Sequence, residues 1–213
     1  PRSTPSNSSA ASDVYKRQLY ALSLENGKRS WEFKTNGYIR GDVVFSDRVV
    51  YVASMDGNLY ALHDLAQETR QAQQAWPMPY ATGTSITKGP VVLAGTVYVV
   101  NDSRECHAVS IHSGRRQWMV KDVDEVLARG KLNTYLARGG RYVLAVDNTT
   151  GDVHWILDTG NKGVARFLRN PTDGIIYLMR PDGTAYAVRE REPERVPKPV
   201  EKKAAGPEAA KAS

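Results

Sequence analysis

The sequence predicts an all-β protein built from repeats, and three observations carry this prediction. First, a tyrosine precedes an alanine by ten residues in four copies: Tyr51 and Ala61, Tyr98 and Ala108, Tyr135 and Ala145, and Tyr177 and Ala187. Second, Gly follows at +6 and Trp at +10 in three copies: Ala21/Gly27/Trp31, Ala108/Gly114/Trp118 and Ala145/Gly151/Trp155. Third, successive alanines, Ala21 included, are 40, 47, 37 and 42 residues apart. A fixed internal period of this length indicates a repeat architecture.

Each repeat consists of short strands joined by tight turns. In the clearest copy, residues 41–76, a β-branched and aromatic run at 49–54 is followed by Asp56-Gly57 and a second run at 59–62. Asp-Gly between two such runs is a strong hairpin signal. No stretch shows the 3.6-residue apolar period of a helix. Three or four short strands per repeat predict a β-propeller of four-stranded antiparallel blades.

The turn that follows the strand with the repeat tyrosine varies between copies. Pro181-Asp182-Gly183 repeats the Asp-Gly signal, Ser103-Arg104 replaces it in the copy at 97–118, and Gly139-Gly140 is expected to turn the copy at 135–155. The repeats lie near 19–31, 41–76, 90–118, 131–155 and 164–188. Together they supply about four blades, namely the end of one, three fuller ones and most of a last.

The recurring Trp, Gly and Ala residues are predicted to dock neighbouring blades on one another. A large flat ring at the end of one blade can pack on the next and bury on the order of 150–250 Å². The predicted docking residues are Trp31, Trp76, Trp118, Trp155, Gly27, Gly114, Gly151, Ala21, Ala61, Ala108, Ala145 and Ala187. The alternative is that one of the tryptophans stacks on a cofactor or a sugar.

This spacing resembles the pyrroloquinoline-quinone (PQQ)-like β-propeller repeat, whose tryptophan-docking motif has Ala, Asp, Thr-Gly and Trp at set offsets. Residues 145–155 carry every element, and the resemblance covers about residues 19–188. The departures are Ser23 and Ser110 in the Asp position, His63 and Gln67 in the Asp and Gly positions of the second copy, and Trp76 at +15. The resemblance implies a propeller that closes with seven or eight blades.

The two ends of the chain lie outside the repeats. Residues 1–18 are rich in Ser, Pro and Asn, and 12–18 resemble a translated sequencing-adapter scar, so a non-native or disordered leader is predicted. Residues 189–213 form a predicted disordered tail rich in Pro, Ala, Lys and Glu. Because the repeats enter in mid-blade at Leu19, we expect the C-terminal half of a longer propeller. A closed four-bladed ring is the alternative.

The composition argues against several classes of function. The net charge of +6 is shared equally by the leader, the repeats at 19–188 and the tail. Nucleic-acid binders concentrate Lys and Arg on one face, so nucleic acid is not an expected partner. Cys106 is the single cysteine, which excludes an intrachain disulfide. No apolar run approaches the ~20 residues of a membrane-spanning helix.

The polar residues do not form a recognisable catalytic or metal-binding motif. Adjacent Cys106 and His107 point to opposite faces of a strand, so they do not pair as nucleophile and base. Structural roles are expected for the histidines His63, His107, His112 and His154. Turn roles are expected for the acids Asp56, Asp147, Asp152 and Asp182. No catalytic residue, metal ligand or cofactor-binding residue is assigned.

Two functions of different classes stay open. The resemblance implies a non-catalytic scaffold for a protein partner in the bacterial periplasm or envelope, similar to the propeller lipoprotein of the outer-membrane barrel-assembly machinery. It also implies, as the alternative, a fragment of a PQQ- and calcium-dependent alcohol or sugar dehydrogenase. Such enzymes use a disulfide between adjacent cysteines and a calcium held by Glu, Asn and Asp. Asn101-Asp102 and Asp147-Asn148 are candidates for that calcium, but they fit turns equally well. We predict the scaffold, without a cofactor in this chain; a sensor domain attached to an enzyme is a third reading.

Overall fold

The computed structural model describes residues 17–64, 72–160, 166–170 and 174–190, together with the backbone of residues 8–13. Four sequence expectations concern residues outside these ranges: the leader segments 1–7 and 14–16, Gln67 in the glycine position of the second copy, and the tail from residue 191.

Five antiparallel sheets, which we call blades I to V, follow one another along the described chain. Blade I contains β1 (Ser8–Asp13), β2 (Gln18–Ser23) and β3 (Arg29–Lys34). Blade II contains β4 (Val44–Ser46), β5 (Val49–Ala53), β6 (Asn58–His63), β7 (Gln73–Gln74) and β8 (Tyr80–Ala81). Blade III contains β9 (Val91–Leu93), β10 (Thr96–Val100), β11 (Cys106–Ser110) and β12 (Arg116–Val120). Blade IV contains β13 (Glu125–Arg129), β14 (Asn133–Arg138), β15 (Tyr142–Asp147) and β16 (Val153–Asp158). Blade V contains β17 (Arg166–Leu168), β18 (Ile176–Met179) and β19 (Ala185–Val188).

Each blade is an antiparallel meander, and neighbouring blades meet at their first strands. In every blade the strands pair in chain order, except that β8 joins β6 alongside β7. Between blades, β4 lies against β9 and β9 against β13. The chain approaches itself so closely here that a Cβ on Gly41 would overlap the backbone of Gly89. This radial convergence, with four-stranded antiparallel sheets, confirms the predicted propeller class.

The structure differs from the sequence expectation at the N-terminus. Ser8–Asp13, inside the segment interpreted as a leader without a part in the fold, forms β1 and pairs with β2, with Ala10 opposite Ala21. Without β1, β2 would be an edge strand, whose unpaired N–H and C=O groups bond readily to an extended chain. At these six residues, the exclusion from the fold is therefore corrected.

The predicted turns join the predicted strands. Gly57 has φ +83 between β5 and β6, and Gly183 has φ +85 between β18 and β19. Gly139 and Gly140 connect β14 to β15. Arg104, which stands in the glycine position between β10 and β11, adopts φ +62. A non-glycine residue in this region is uncommon, which explains why the sequence signal was weakest there.

The ten-residue spacing of the sequence corresponds to a row of side chains across three strands. In blade III, Tyr98 on β10 is opposite Ala108 on β11, and Ala108 is opposite Trp118 on β12. In blade IV the row is Tyr135, Ala145 and Trp155. The alanine in the middle is small enough for the two aromatic rings to meet above it, 5.7 Å apart in blade III. The spacing is therefore a packing constraint on one face of each blade.

The strand ends form two opposite surfaces. One surface, the loop face, consists of residues 36–42, 54–57, 84–89, 101–105, 121–124 and 138–140. Its connections and turns are joined by backbone hydrogen bonds, among them Met55 N–H to Tyr38 O (2.9 Å) and Asp102 N–H to Ser85 O (2.8 Å). The opposite surface, the turn face, consists of residues 23–28, 46–49, 93–96, 110–115, 130–133 and 147–152. In the described ranges, no helix is long and apolar enough to cross a membrane.

Candidate functional site

Three of the four repeat tryptophans lie between their own blade and the next. The Trp76 ring is 5.8 Å from that of Tyr51 in blade II, and its indole N–H donates to the Ile111 carbonyl of blade III (2.8 Å). Trp118 donates in the same way to the Asn148 carbonyl of blade IV (3.0 Å). Trp31 donates to the Asp64 carboxylate of blade II (3.4 Å). All three are at most 4% exposed.

The acceptor occupies the same repeat position each time. Asp64, Ile111 and Asn148 each lie three residues after the alanine of their own blade. Trp76 reaches this position although it follows Ala61 by fifteen residues. The additional residues precede β7, which pairs with β6 at Gln73–Gln74, directly before Trp76. The five-residue insertion leaves the contact intact.

The side chains of Trp76 and Trp118 pack directly on the turn glycines of the next blade, Gly114 and Gly151. A Cβ on Gly114 would lie 2.7 Å from Trp76 Cδ2, and one on Gly151 would lie 2.7 Å from Trp118 Cβ. Gly27 has the same left-handed backbone (φ +68), yet a Cβ there would meet nothing within 4 Å. Gly114 and Gly151 are thus required both for the turn and for the close approach of the indole.

Trp155 differs from the other three. Its ring lies 5.8 Å from that of Tyr135, but the side chain is 39% exposed. Three residues after Ala187 stands Glu190, whose carboxylate instead accepts hydrogen bonds from the Asn133 backbone N–H (3.1 Å) and side chain (2.5 Å). Glu190 therefore ties blade V to the turn face of blade IV. Sequence reasoning missed this residue, although its offset from Ala187 marks it.

On the loop face, Asp56 joins blade II to the connection from blade I. Its carboxylate accepts hydrogen bonds from the backbone N–H groups of Asn36 (3.0 Å) and Gly37 (3.2 Å) and from the Tyr60 hydroxyl (2.8 Å). Burial, together with this hydrogen bond to Asp56, raises the pKa of Tyr60 to about 12. Asp56 also accepts from the Asn58 N–H, as its turn role predicts, but the bonds to blade I extend that role.

Asp124 plays the corresponding role between blades III and IV, where it bonds to several loops. Its carbonyl accepts a hydrogen bond from Lys88 Nζ (2.7 Å), and its carboxylate lies 3.1 Å from the Arg104 guanidinium. The same carboxylate accepts a bond from the Gly139 N–H. Arg138 donates to the carbonyl of Asp122 (3.0 Å). Loops of three consecutive blades are thereby held in one arrangement.

The surface above this network presents aromatic and cationic groups. Tyr38 is 41% exposed, and the Arg17 guanidinium lies 5.4 Å from its ring centre. Arg40 and Lys88 are also exposed on the loop face. Next to the loop face, between blades IV and V, a cleft of about 500 Å³ is lined by Glu125, Gly140, Arg166, Phe167, Leu168 and Arg169. Tyr and Arg over a rigid support are typical of protein interaction surfaces.

His107 is buried between blades II and III. It is 3% exposed, its Nδ1 lies 2.9 Å from the Tyr80 hydroxyl, and its Nε2 lies 3.4 Å from Asn101 Nδ2 and 3.7 Å from Glu105. Burial lowers the pKa of His107, against the opposing effect of the Glu105 carboxylate. Cys106 is buried on the other face of β11, and burial raises the pKa of its thiol. The two side chains do not form a catalytic pair.

The candidate calcium ligands are engaged in hydrogen bonds, either within their own turns or with a neighbouring segment. Asn101 Oδ1 accepts the Glu105 N–H (2.9 Å), and Asp102 accepts the Thr87 hydroxyl (2.6 Å). Asp147 accepts the Thr149 and Thr150 N–H groups, which lower its pKa. Within the described ranges, no three His, Cys, Asp or Glu side chains are grouped to hold a metal. The side-chain oxygens of Asn101, Asp102 and Asp147 are thus engaged in hydrogen bonds within the protein.

The geometry defines a class of protein: a β-propeller whose blades dock through a repeated tryptophan. A sequence-family model described as outer membrane protein assembly factor BamB matches residues 4–71 and 61–196. The chain therefore belongs to this family of PQQ-like β-propeller repeat proteins. No curated protein sequence matches the chain significantly.

Solved structures share the fold at low sequence identity. BamB from Moraxella catarrhalis has a TM-score of 0.61 at 16% identity, over 79% of this chain and 54% of that one. The computationally designed Ika8 protein has a TM-score of 0.66 at 12% identity, over 88% and 57%. Quinohemoprotein alcohol dehydrogenase ADHIIG from Pseudomonas putida HK5 has a TM-score of 0.52 at 17% identity, over 80% and 34%. The chain thus spans about half the length of the first two structures.

Substituting Gly114 tests the tryptophan contact, with Gly27 as the matched control. Both glycines have φ near +67, so alanine at either position costs about 1 kcal/mol of backbone strain. Only Gly114→Ala also pushes a Cβ into Trp76, which adds about 1–3 kcal/mol of overpacking. Urea unfolding should therefore show a larger loss for Gly114→Ala than for Gly27→Ala. Equal losses would contradict docking of Trp76 on this turn.

His107 should make the stability depend on pH. Its folded-state pKa lies below the unfolded value of ~6.5, so protonation favours the unfolded chain and stability falls as the pH drops below that value. We expect a loss on the order of 1 kcal/mol between about pH 7.5 and pH 5, reduced in His107→Gln. The exposed His112→Gln is the control and should keep the wild-type profile. An unchanged profile in His107→Gln would contradict this assignment.

Proposed function

We propose that this protein is a non-catalytic PQQ-like β-propeller that binds a protein partner through the loop face. The observation that carries the proposal is the exposed ring of Tyr38, which lies 5.4 Å from the Arg17 guanidinium. A network of hydrogen bonds holds the loops that support it. Interfaces are enriched in Tyr and Arg, and such residues contribute most when they are rigidly supported.

The support for this surface comes from two carboxylates. Asp56 holds the connection at Asn36 and Gly37, directly before Tyr38. Asp124 joins Lys88, Arg104 and Gly139 on the neighbouring part of the same face. A partner would therefore meet side chains whose backbone is already ordered, which lowers the entropic cost of binding.

The family supplies the proposed setting. Its description as an outer membrane protein assembly factor supports a place in the bacterial periplasm or envelope, and a partner among proteins that assemble there. The structural likeness to BamB supports the same setting. Nucleic acid is not proposed as a partner, because the excess of basic residues is distributed over the whole chain.

A quinone-dependent dehydrogenase is the second candidate. The likeness to a quinohemoprotein alcohol dehydrogenase favours it. Against it stand the turn contacts of Asn101, Asp102 and Asp147, and the single, buried Cys106. The scaffold is therefore the function that the described residues support best.

Replacing Tyr38 tests the proposed binding surface. Tyr38→Ala removes an exposed ring and leaves intact the backbone bond from Met55, so binding should weaken about tenfold or more, as for an interface hot spot. The control is Leu24→Ala, which removes a 64% exposed apolar side chain from the turn face. Affinity would be measured by biolayer interferometry against purified barrel-assembly complex lacking its own propeller subunit. Absence of wild-type binding, or equal effects of both variants, would contradict the proposal.

Thermal unfolding with PQQ and calcium separates the two candidates. Ligand that binds only the folded state raises the unfolding temperature, so a dehydrogenase site should give a rise of several degrees at saturating ligand. We expect no rise for this chain. A PQQ-dependent dehydrogenase serves as the positive control under the same conditions. A calcium-dependent rise for this chain would overturn the scaffold in favour of the second candidate.

A further inference from the structure

The outer strand of blade II bulges directly after its tryptophan. In blade III, Val120 follows Trp118 by two residues and pairs with the residue that lies two before the repeat alanine. The corresponding pair in blade II is made by Tyr80, which follows Trp76 by four residues. Two additional residues therefore leave the sheet within 77–79. Such bulges redirect side chains and often lie beside functional positions.

Met78 is the tip of this bulge. It stands between two prolines and is 72% exposed, more than any other large apolar residue that the structure describes. Trp76 before the tip and Tyr80 after it are both tied to blade III, by hydrogen bonds of 2.8 and 2.9 Å. The prolines restrict the backbone between these two anchors. The bulge therefore holds the Met78 side chain in contact with solvent.

Met78 is also the most exposed sulfur-containing residue of the chain. The chain has four methionines and one cysteine, and all five lie in the described ranges. Cys106 is 0% exposed, Met55 and Met119 are partly buried, and Met179 is 36% exposed. Burial raises the pKa of the Cys106 thiol, so the reactive thiolate is scarce. An oxidant in solution therefore meets the thioether of Met78 before the other sulfur atoms.

We propose that Met78 is a site of reversible oxidation by peroxides, at which the chain takes up one oxygen atom and keeps its fold. A lone pair of the thioether sulfur attacks one oxygen of hydrogen peroxide, and the S–O bond forms as the O–O bond breaks. The departing hydroxide takes the proton of the transferred oxygen and leaves as water. Sulfur loses two electrons to the peroxide, and methionine sulfoxide is the product. Methionine sulfoxide reductases reverse the change with a thiol reductant.

The position of Met78 outside the sheet determines what oxidation does to the fold. A sulfoxide is polar, so it disrupts the packing wherever a methionine is part of a core. Met119, partly buried on β12 opposite His107, is in that situation. At the tip of the bulge the new oxygen is in water. The tip belongs neither to the loop face nor to the turn face, so this site is independent of the proposed partner surface.

The order of oxidation can be measured on the full chain by peptide mass spectrometry during treatment with hydrogen peroxide. In the folded protein the sulfoxide of Met78 should form first, at least about fivefold faster than those of Met55 and Met119. In urea, where every methionine is exposed, the four rates should converge. A faster reaction at another methionine of the folded protein would overturn the proposal. So would a preference for Met78 that persists in urea, because the fold would then not be its cause.

Two variants and a reversal step complete the test. Met78→Leu conserves volume and apolar character, and it should abolish the fast uptake of the first oxygen atom. Met179→Leu, at the next most exposed methionine, is the matched control and should retain it. After the first oxygen is added, the unfolding temperature should be unchanged, and methionine sulfoxide reductases A and B with dithiothreitol should restore the original mass. A fast step that persists in Met78→Leu, a lower unfolding temperature after that step, or a sulfoxide that the reductases leave in place would each refute the proposal.

Discussion

The architecture depends on one contact, in which a tryptophan lies between a tyrosine of its own blade and a turn of the next. The tyrosine and the tryptophan meet because an alanine separates them on the middle strand. The indole N–H and the absent Cβ of the turn glycine then set the distance to the following blade. Trp76 and Trp118 each make all of these contacts, so the packing between consecutive blades is repeated.

The arrangement of the loop face follows from this repeated packing. Asp56 and Asp124 reach the neighbouring connections because the tryptophan contacts hold consecutive blades next to each other. In a repeat protein, stability is a sum of units and neighbouring interfaces, so weakening one tryptophan contact should act mainly on the two blades it joins. The proposed binding surface spans blades I to IV and therefore depends on several such contacts together.

The spacing of residues predicted the fold class because packing across strands repeats at a fixed interval. Tyr98, Ala108 and Trp118 are distant in sequence by ten residues each and adjacent in the sheet. Residues that act once, outside the period, could not be predicted in this way. The bonds from Asp56 to Asn36 and the role of β1 both depend on which segments become neighbours in space. The turn at Ser103-Arg104 gave only a weak signal, because the backbone conformation of Arg104 is one that glycine usually supplies.

The identity of the indole acceptor sets how far each repeat can diverge. Trp76 and Trp118 bond to main-chain carbonyls, at Ile111 and Asn148, which every amino acid possesses. The side chain there can change over evolutionary time without loss of that bond. Trp31 bonds to the carboxylate of Asp64, so its partner is restricted to residues with a suitable oxygen. Neutral drift should therefore be wider three residues after Ala108, at Ile111, than three residues after Ala61, at Asp64, although both positions belong to one motif.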